Sequence, residues 1–429
     1  MTTGMRRVAV TGLGAVCAAG VGKQALWQAI SDGRSCEAAL PELDHLGLKS
    51  KIFCPARSLD EAIGQLPQGI REAYDRHVWL GLLAADEAIR QSGLLTDGVD
   101  MNRVGVNIGT AIGGTGAMEH GFLQVTEGAS HEVQADLMPA HLYRFMCPSS
   151  ATVAVAATYG CHGPCVTTST GCTSGQDSIG YGFNAIRSGE ADAFIVGAAD
   201  APLVPISVAA FDVIGAITRK PVEAAGSASC PFSADRDGFV LGEGAGMAVL
   251  EAMDHAEARQ APVLAEIFGF GSTSNAFHMT GLPPDGLDLS RAIAAALQQA
   301  ALSPEAIDYV NAHGSSTLQN DRNETAAIHH SLGERARRIP VSSIKSIIGH
   351  PLGAANSIEF VACVEALNRQ FLPPTLNYCR PSQDCDLNYV PRYGRPGRIR
   401  TLLSTASGFS GLHAALILGK PAMAEARRS

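Results

Sequence analysis

Ser169-Thr170-Gly171-Cys172-Thr173-Ser174-Gly175 opens onto a segment of helical pattern, 176–188, which is followed by an apolar strand-like run, 193–197. Turn, helix and buried strand in that order form one unit of an α/β protein. The alternation continues outward in both directions. Residues 7–16 and 104–109 read as strands and 79–91 as a helix. After residue 261 the pattern restarts, with a strand at 263–269, a helix at 290–301 and a strand at 309–312. The restart places a midpoint near 252–262 between two similar halves. No long Pro/Gly/Ser-rich linker separates them, so they read as one rigid body.

Within the opening stretch, Cys172 stands between two glycines at the start of a helix. Unpaired N–H groups and the positive end of the helix dipole favour a thiolate there, and a thiolate is a nucleophile. Small neighbours let a substrate carbonyl reach the sulfur. The plainer alternative is a cysteine acting as a small buried hydrophobe, the commoner fate of this side chain.

Composition narrows the function classes. The chain has 429 residues, 46% of them hydrophobic and 17% charged, which suits a compact enzyme with a large core rather than a disordered chain. No window approaches the ~18–20 consecutive apolar residues of a membrane span. The N-terminal residues run directly into a strand without a signal-peptide pattern, so a cytoplasmic location is expected. A net charge of −9 and the lack of a basic run argue against nucleic acid. The eleven cysteines show no paired spacing and read as reduced thiols. Cys161 and Cys165 come nearest to a pair, but nothing completes a zinc site around them.

Gly12-Leu13-Gly14 resembles the start of a dinucleotide fingerprint. Its third glycine and acidic ribose partner are missing, so the segment reads as a turn ending the first strand. Three further glycine clusters occur, at 109–114, 237–246 and 407–411. Such clusters let backbone approach backbone or ligand, and one shared site would explain all of them; separate tight turns are the alternative.

Two histidines join the cysteine as candidates. His313 follows an apparent strand in Tyr309-Val310-Asn311-Ala312-His313-Gly314, and His350 closes Lys345-Ser346-Ile347-Ile348-Gly349-His350. A single histidine at a strand-to-loop transition is usually a structural hydrogen-bonding group. A cysteine with two such histidines is a plausible nucleophile and its assistants.

These segments, in order, are STGCTSG around Cys172, PFSADRDGFVLGEGAG from Pro231, NAFHMTGL from Asn275, NAHGSSTLQNDRNETAA from Asn311, PVSSIKSIIGHPLGAA from Pro340 and CDLNYVP from Cys385. With them the chain resembles a β-ketoacyl synthase of the condensing-enzyme (thiolase-fold) superfamily, above all the ketosynthase subunit of type II polyketide synthases. The resemblance implies an α/β thiolase fold of two pseudo-duplicated βαβαβαββ halves in a layered α-β-α-β-α arrangement. The halves would be residues 1–256, with the nucleophilic cysteine, and 257–420, with the histidines; 421–429 would be a flexible tail.

The implied reaction is a decarboxylative Claisen condensation. Cys172 takes the acyl chain as a thioester, and malonyl carried on an acyl carrier protein supplies two carbons. His313 and His350 would donate through Nε2–H to the malonyl thioester oxygen, which requires neutral imidazoles. The N–H groups of Cys172 and Phe409 would form the oxyanion hole of the acyl-Cys172 step. Lys345 and Glu324 would support the histidines as a pair, Ser315 and Thr317 would hold the phosphopantetheine arm, and Phe409 would be the gatekeeper. No intrinsic cofactor and no metal are implied. Asn311, Ser404 and Glu359 could lend oxygens to a monovalent cation, but His413 stands where the family has an Asn- or Gln-like residue. Ser410 interrupts the family's GFGG loop, which puts the gate's mobility in question.

The implied partners are a chain-length factor, as a heterodimer, and the acyl carrier protein. An acidic carrier would need a local basic patch, for which Arg71, Arg76, Arg219 and Lys220 are candidates. The alternatives are a fatty-acid β-ketoacyl synthase, a thiolase and a non-catalytic chain-length factor. A thiolase would use Cys/His/Cys with coenzyme A, and a chain-length factor lacks the cysteine. The product is expected to be an aromatic or polyene polyketide.

Overall fold

The computed structural model describes residues 5–96, 98–138 and 142–421, so the tail at 421–429 lies outside the described residues except for Pro421. Its framework is one supersecondary pattern used twice. The first copy comprises β1 (Val8–Cys17), α1 (Arg76–Ser92), β2 (Val104–Gly109), α2 (Ser150–Tyr159), β3 (Cys165–Val166), α3 (Ser174–Arg187), β4 (Ala193–Asp200) and β5 (Gly244–Ala252). The second comprises β6 (Ala265–Ser274), α4 (Leu287–Ala300), β7 (Tyr309–Asn311), α5 (Leu318–Leu332), β8 (Pro340–Ser342), α6 (Ala355–Arg369), β9 (Thr401–Ser407) and β10 (Leu412–Gly419). Strand order is β3-β2-β4-β5-β1 in one copy and β8-β7-β9-β10-β6 in the other. The two first strands pair antiparallel at their starts, Val8 to Val10 against Ala265 to Ile267, joining the sheets in one ladder.

The layering follows from strands buried on both faces. On β4, Phe194, Val196 and Ala198 enter one core while Ala193, Ile195 and Ala199 enter another. On β9 and β10, Leu402, Leu416 and Leu418 enter the first of these cores, and Leu403, Ala415 and Ile417 enter a third. The shared core is the central layer, and it holds α3 and α6. On α6 every residue from Ala355 to Leu367 is buried. The outer layers rest on α1 and α2 on one side and on α4 and α5 on the other.

Gly12 and Gly14 are not a turn: β1 continues through them to Cys17. A Cβ at either would lie within 2.0 Å of the Ala88 or Ala84 carbonyl oxygen, so the glycines let α1 lie directly on the strand. The second copy repeats the device. Gly269 and Gly271 on β6 face Ala296 O and Ala292 O of α4, each 2.2 Å from an added Cβ. In both strands a register shift precedes the first glycine, between Val10 and Gly12 and between Ile267 and Gly269. Backbone contact here would be lost to any side chain. Gly14→Ala should therefore destabilise the protein by about 3 kcal/mol through overpacking, read as a lower midpoint in guanidinium unfolding.

Candidate active site

Cys172 lies in a single 3-10 turn, Gly171–Thr173, that leads into α3. Gly171 takes the left-handed conformation, φ +64, that starts the turn. Asp177 in the first turn of α3 accepts the hydroxyls of Thr170 (2.6 Å) and Thr173 (2.7 Å), holding the turn on the helix. Gly175 lets the central helices meet: its added Cβ would be 2.8 Å from Gly353 O and from Ser357 N of α6. The site forms where these two helix starts converge.

The three glycine clusters converge there too. Gly109 abuts Ser174 O, Gly238 lines the cavity in front of the cysteine, and Gly408 lies against Cys172 N. One cavity of about 240 Å³ is lined by Cys172, His313, His350 and Phe409, together with Ser315 and Thr317. The structure thus brings these sequence-nominated groups together.

The thiolate expected from the helix terminus is not what the environment favours. Burial pushes the Cys172 thiol up to about 11, the Asp200 carboxylate adds to this, and Lys345 and two backbone N–H groups oppose it only in part. Those N–H groups belong to Phe409 and to Cys172 itself, the two expected at the oxyanion hole, and both act to favour the thiolate.

Both imidazoles are buried, and burial holds each well below the usual histidine range, with the Lys345 charge acting in the same direction. They are neutral donors. Their rings meet edge to face with centroids 5.2 Å apart. Lys345 Nζ stands 3.4 Å from His313 Nδ1 and donates to the His313 carbonyl at 2.8 Å. An ammonium can only donate, so Nδ1 of His313 is the acceptor and the ring proton resides on Nε2. His350 Nδ1 has no partner among the described residues, and Phe239 packs edge-on against this ring at 5.0 Å.

Lys345 and Glu324 do not pair with each other. Lys345 bonds to Glu359, and both side chains are fully buried. Glu324 instead accepts the N–H groups of His313 (2.7 Å) and Gly314 (2.8 Å) and the Thr405 hydroxyl (2.6 Å), while burial raises it to about 7. The two residues hold His313 from different sides. Asn311 donates its amide N–H to Ser404 Oγ at 3.1 Å, and Glu359 accepts from Lys345 and from Asn356, so the Ser404 and Glu359 oxygens considered for a cation have protein partners.

Ser315 Oγ and Thr317 Oγ1 lie 2.9 Å apart, and Thr317 also caps α5 by accepting from Asn320 N. Phe409 continues an aromatic row through Phe211 (6.4 Å) and Phe239 (5.7 Å) to His350. Ser410 adopts φ +68 and donates its N–H to Met279 O. That conformation costs a residue with a Cβ about 1–2 kcal/mol, so serine strains this loop position rather than stiffening it. His413 is fully buried opposite Ser407, with Nδ1 2.9 Å from its hydroxyl, and burial lowers it to about 4.

Of the four basic candidates, Arg76 is committed to Glu243, and Lys220 turns inward to Ala228 O and Cys230 Sγ, each at 3.0 Å. Arg71 and Arg219 remain at the surface. Sequence reading missed the roles of Phe211, Asp200 and Glu359 here. Glu359 is weighed in the sequence only as a cation oxygen, and its place one turn into the helix after His350 is the signal for its role beside Lys345.

Residues 5–256 match the family profile for the beta-ketoacyl synthase N-terminal domain and residues 264–379 that for its C-terminal domain. The chain belongs to the β-ketoacyl synthase family. Among curated relatives of this β-ketoacyl synthase is the tetracenomycin polyketide synthase ketoacyl synthase alpha subunit of Streptomyces glaucescens, 45% identical over 97% of each chain. Among solved structures, a type II polyketide synthase acyl-carrier protein in complex with its ketosynthase bound to the hexaketide matches with TM-score 0.91. That match is 39% identical and covers 97% of this chain and 100% of the other. The ishigamide ketosynthase/chain length factor matches with TM-score 0.88 at 30% identity, over 97% and 100%.

Two measurements test the electrostatics of this synthase. Alkylation of Cys172 by iodoacetamide, followed by peptide mass spectrometry, should accelerate with every pH unit from 7 to 10, because the thiolate fraction grows until pH passes about 11. A plateau below pH 8 would instead mark a thiolate stabilised by the helix. Lys345→Met should lower thermal stability by about 3–5 kcal/mol by leaving the Glu359 charge buried alone. The double variant Lys345→Met/Glu359→Gln should regain much of that loss in thermal unfolding.

Proposed function

We propose that the protein is the working ketosynthase subunit of a type II polyketide synthase, condensing malonyl units onto an acyl chain held on Cys172. The observation that carries this reading is the cavity in which Cys172 faces two neutral imidazoles, one with its proton assigned to Nε2 by Lys345. The thiol of Cys172 adds to the acyl thioester carbonyl of a carrier-bound chain. Its proton passes to the departing sulfur of the arm, so that nothing is left uncompensated. The N–H groups of Cys172 and Phe409 stabilise the tetrahedral oxyanion, and the arm's thiol leaves. Malonyl thioester then binds in the same cavity, its thioester oxygen accepting from Nε2–H of His313 and of His350. Cleavage of its carbon–carbon bond releases carbon dioxide and leaves an enolate that these donors stabilise. The enolate carbon attacks the acyl-Cys172 carbonyl, the sulfur departs, and the chain is longer by two carbons. Ser315 and Thr317 hold the phosphopantetheine arm, and Phe409 gates the acyl chain.

The partners proposed are an acyl carrier protein and a chain-length factor. They are named with the similar solved ketosynthases, and the surface supports an apolar partner. Phe122, Leu123 and Ile206 are exposed along one shallow apolar groove, and Val153 is exposed on α2, which packs beside the edge strand β3. No helix among the described residues is long and apolar enough to cross a membrane. All eleven cysteines are unpaired, which supports a reducing cytoplasm.

Intact-protein mass spectrometry with an acyl-carrier substrate should show one acyl group, located at Cys172 by peptide mapping and absent from Cys172→Ala. His313→Ala should slow decarboxylative condensation about 10²–10³-fold while reducing acyl loading far less. Equal loss of both steps would assign His313 another role.

A further inference from the structure

Among the described residues, two side chains lining the cavity carry a buried polar atom without a partner, His350 Nδ1 and Asn320 Oδ1. The first belongs to the condensation machinery. The second has no part in it. Asn320 is 5% exposed, in the first turn of α5, with its backbone N–H given to the Thr317 cap. Its amide orientation is determined by its neighbours. Nδ2 lies 3.2 Å from Asp321 Oδ1 and 3.5 Å from Glu324 Oε2, and only the NH₂ end can face two carboxylates. Oδ1 is therefore turned away from both, an acceptor held in place without a donor.

The neighbouring hydroxyls supply the opposite function. Ser315 and Thr317 share one hydrogen bond between them, and Thr317 accepts from Asn320 N, so one hydroxyl proton is left to donate outward. Asn320 lines the cavity together with Ser315 and Thr317, and one free donor beside one fixed acceptor matches a secondary amide, which carries a C=O and an N–H. The phosphopantetheine arm contains two such amides. Burying one with its N–H unpaired would weaken binding.

We propose that Asn320 Oδ1 accepts the N–H of an arm amide, making Asn320 a residue that selects pantetheine-type donors over other thioesters. This rests on the reading that acyl chains reach Cys172 on a phosphopantetheine arm. The positioning is built into the helix start. The pair Asp321 and Glu324 holds the amide's donor end, and the acceptor is left for the ligand.

The test compares acyl transfer to Cys172 from three soluble donors: an acyl-pantetheine, the same acyl group on N-acetylcysteamine, and an alkyl thioester without an amide. For Asn320→Ala, kcat/KM should fall about tenfold for acyl-pantetheine, mostly through KM, and stay unchanged for the amide-free thioester. A matching fall with N-acetylcysteamine would place the contact at the amide nearest the sulfur, and its absence at the farther one; either supports the proposal. Asn320→Ser carries the same comparison if the alanine variant folds poorly, as judged by thermal unfolding. An equal fall for all three donors, or no fall for any, would overturn it. Wild-type protein that none of the donors acylates would overturn the functional reading, and this inference with it.

Discussion

The Lys345 ammonium, 1% exposed and bonded to Glu359 and to the His313 carbonyl, is the interaction on which the site depends. A buried ion pair adds little net stability, because desolvation offsets much of its attraction. Its value here is positional. It presents a donor to His313 Nδ1 and so assigns the ring proton to Nε2, while its charge helps keep both imidazoles neutral. The same charge partly relieves the burial of the Cys172 thiol. One cation thus bears on the cysteine and on both imidazoles, with Glu359 as its counter-ion in a dry interior.

Duplication is what brings the required residues together. Each copy buries its third helix in the central layer, and α3 and α6 start side by side because Gly175 allows backbone contact there. The cysteine comes from the start of one central helix. The histidines come from the loops after β7 and after β8 in the other copy. A site built at the ends of buried strands and helices is rigid, which suits donors that must already point at a developing oxyanion. Phe409, proposed as the gate, sits in the β9–β10 connection, where Ser410 accepts left-handed strain.

Much of the framework could be read along the chain, and the exceptions are instructive. The strand at 104–109 matches β2 residue for residue, and the helix at 79–91 lies inside α1. Gly12-Leu13-Gly14 was misread as a turn because glycine signals both turns and close packing. Only the helix lying across β1 separates the two. The strand at 263–269 extends in fact to Ser274, since β10 supplies a pairing partner as far as Leu412 that local pattern does not reveal. At the site, the motifs nominated Cys172, His313, His350, Ser315, Thr317 and Phe409, and these six line one cavity. The motifs misassigned the partner of Lys345.

By itself the sequence determined which residues are available: a candidate nucleophile, two imidazoles, an alternation of strands and helices, and the family whose motifs these are. Tertiary structure decided their chemical state. The thiol is protonated rather than ionised because burial outweighs the helix terminus. Glu359, not Glu324, answers Lys345 because α6 lies in the central layer beside it. His313 carries its proton on Nε2 because a lysine 32 positions along the chain folds back onto Nδ1. Charge state and tautomer depend on desolvation and on neighbours remote in sequence, and neither is written in local pattern.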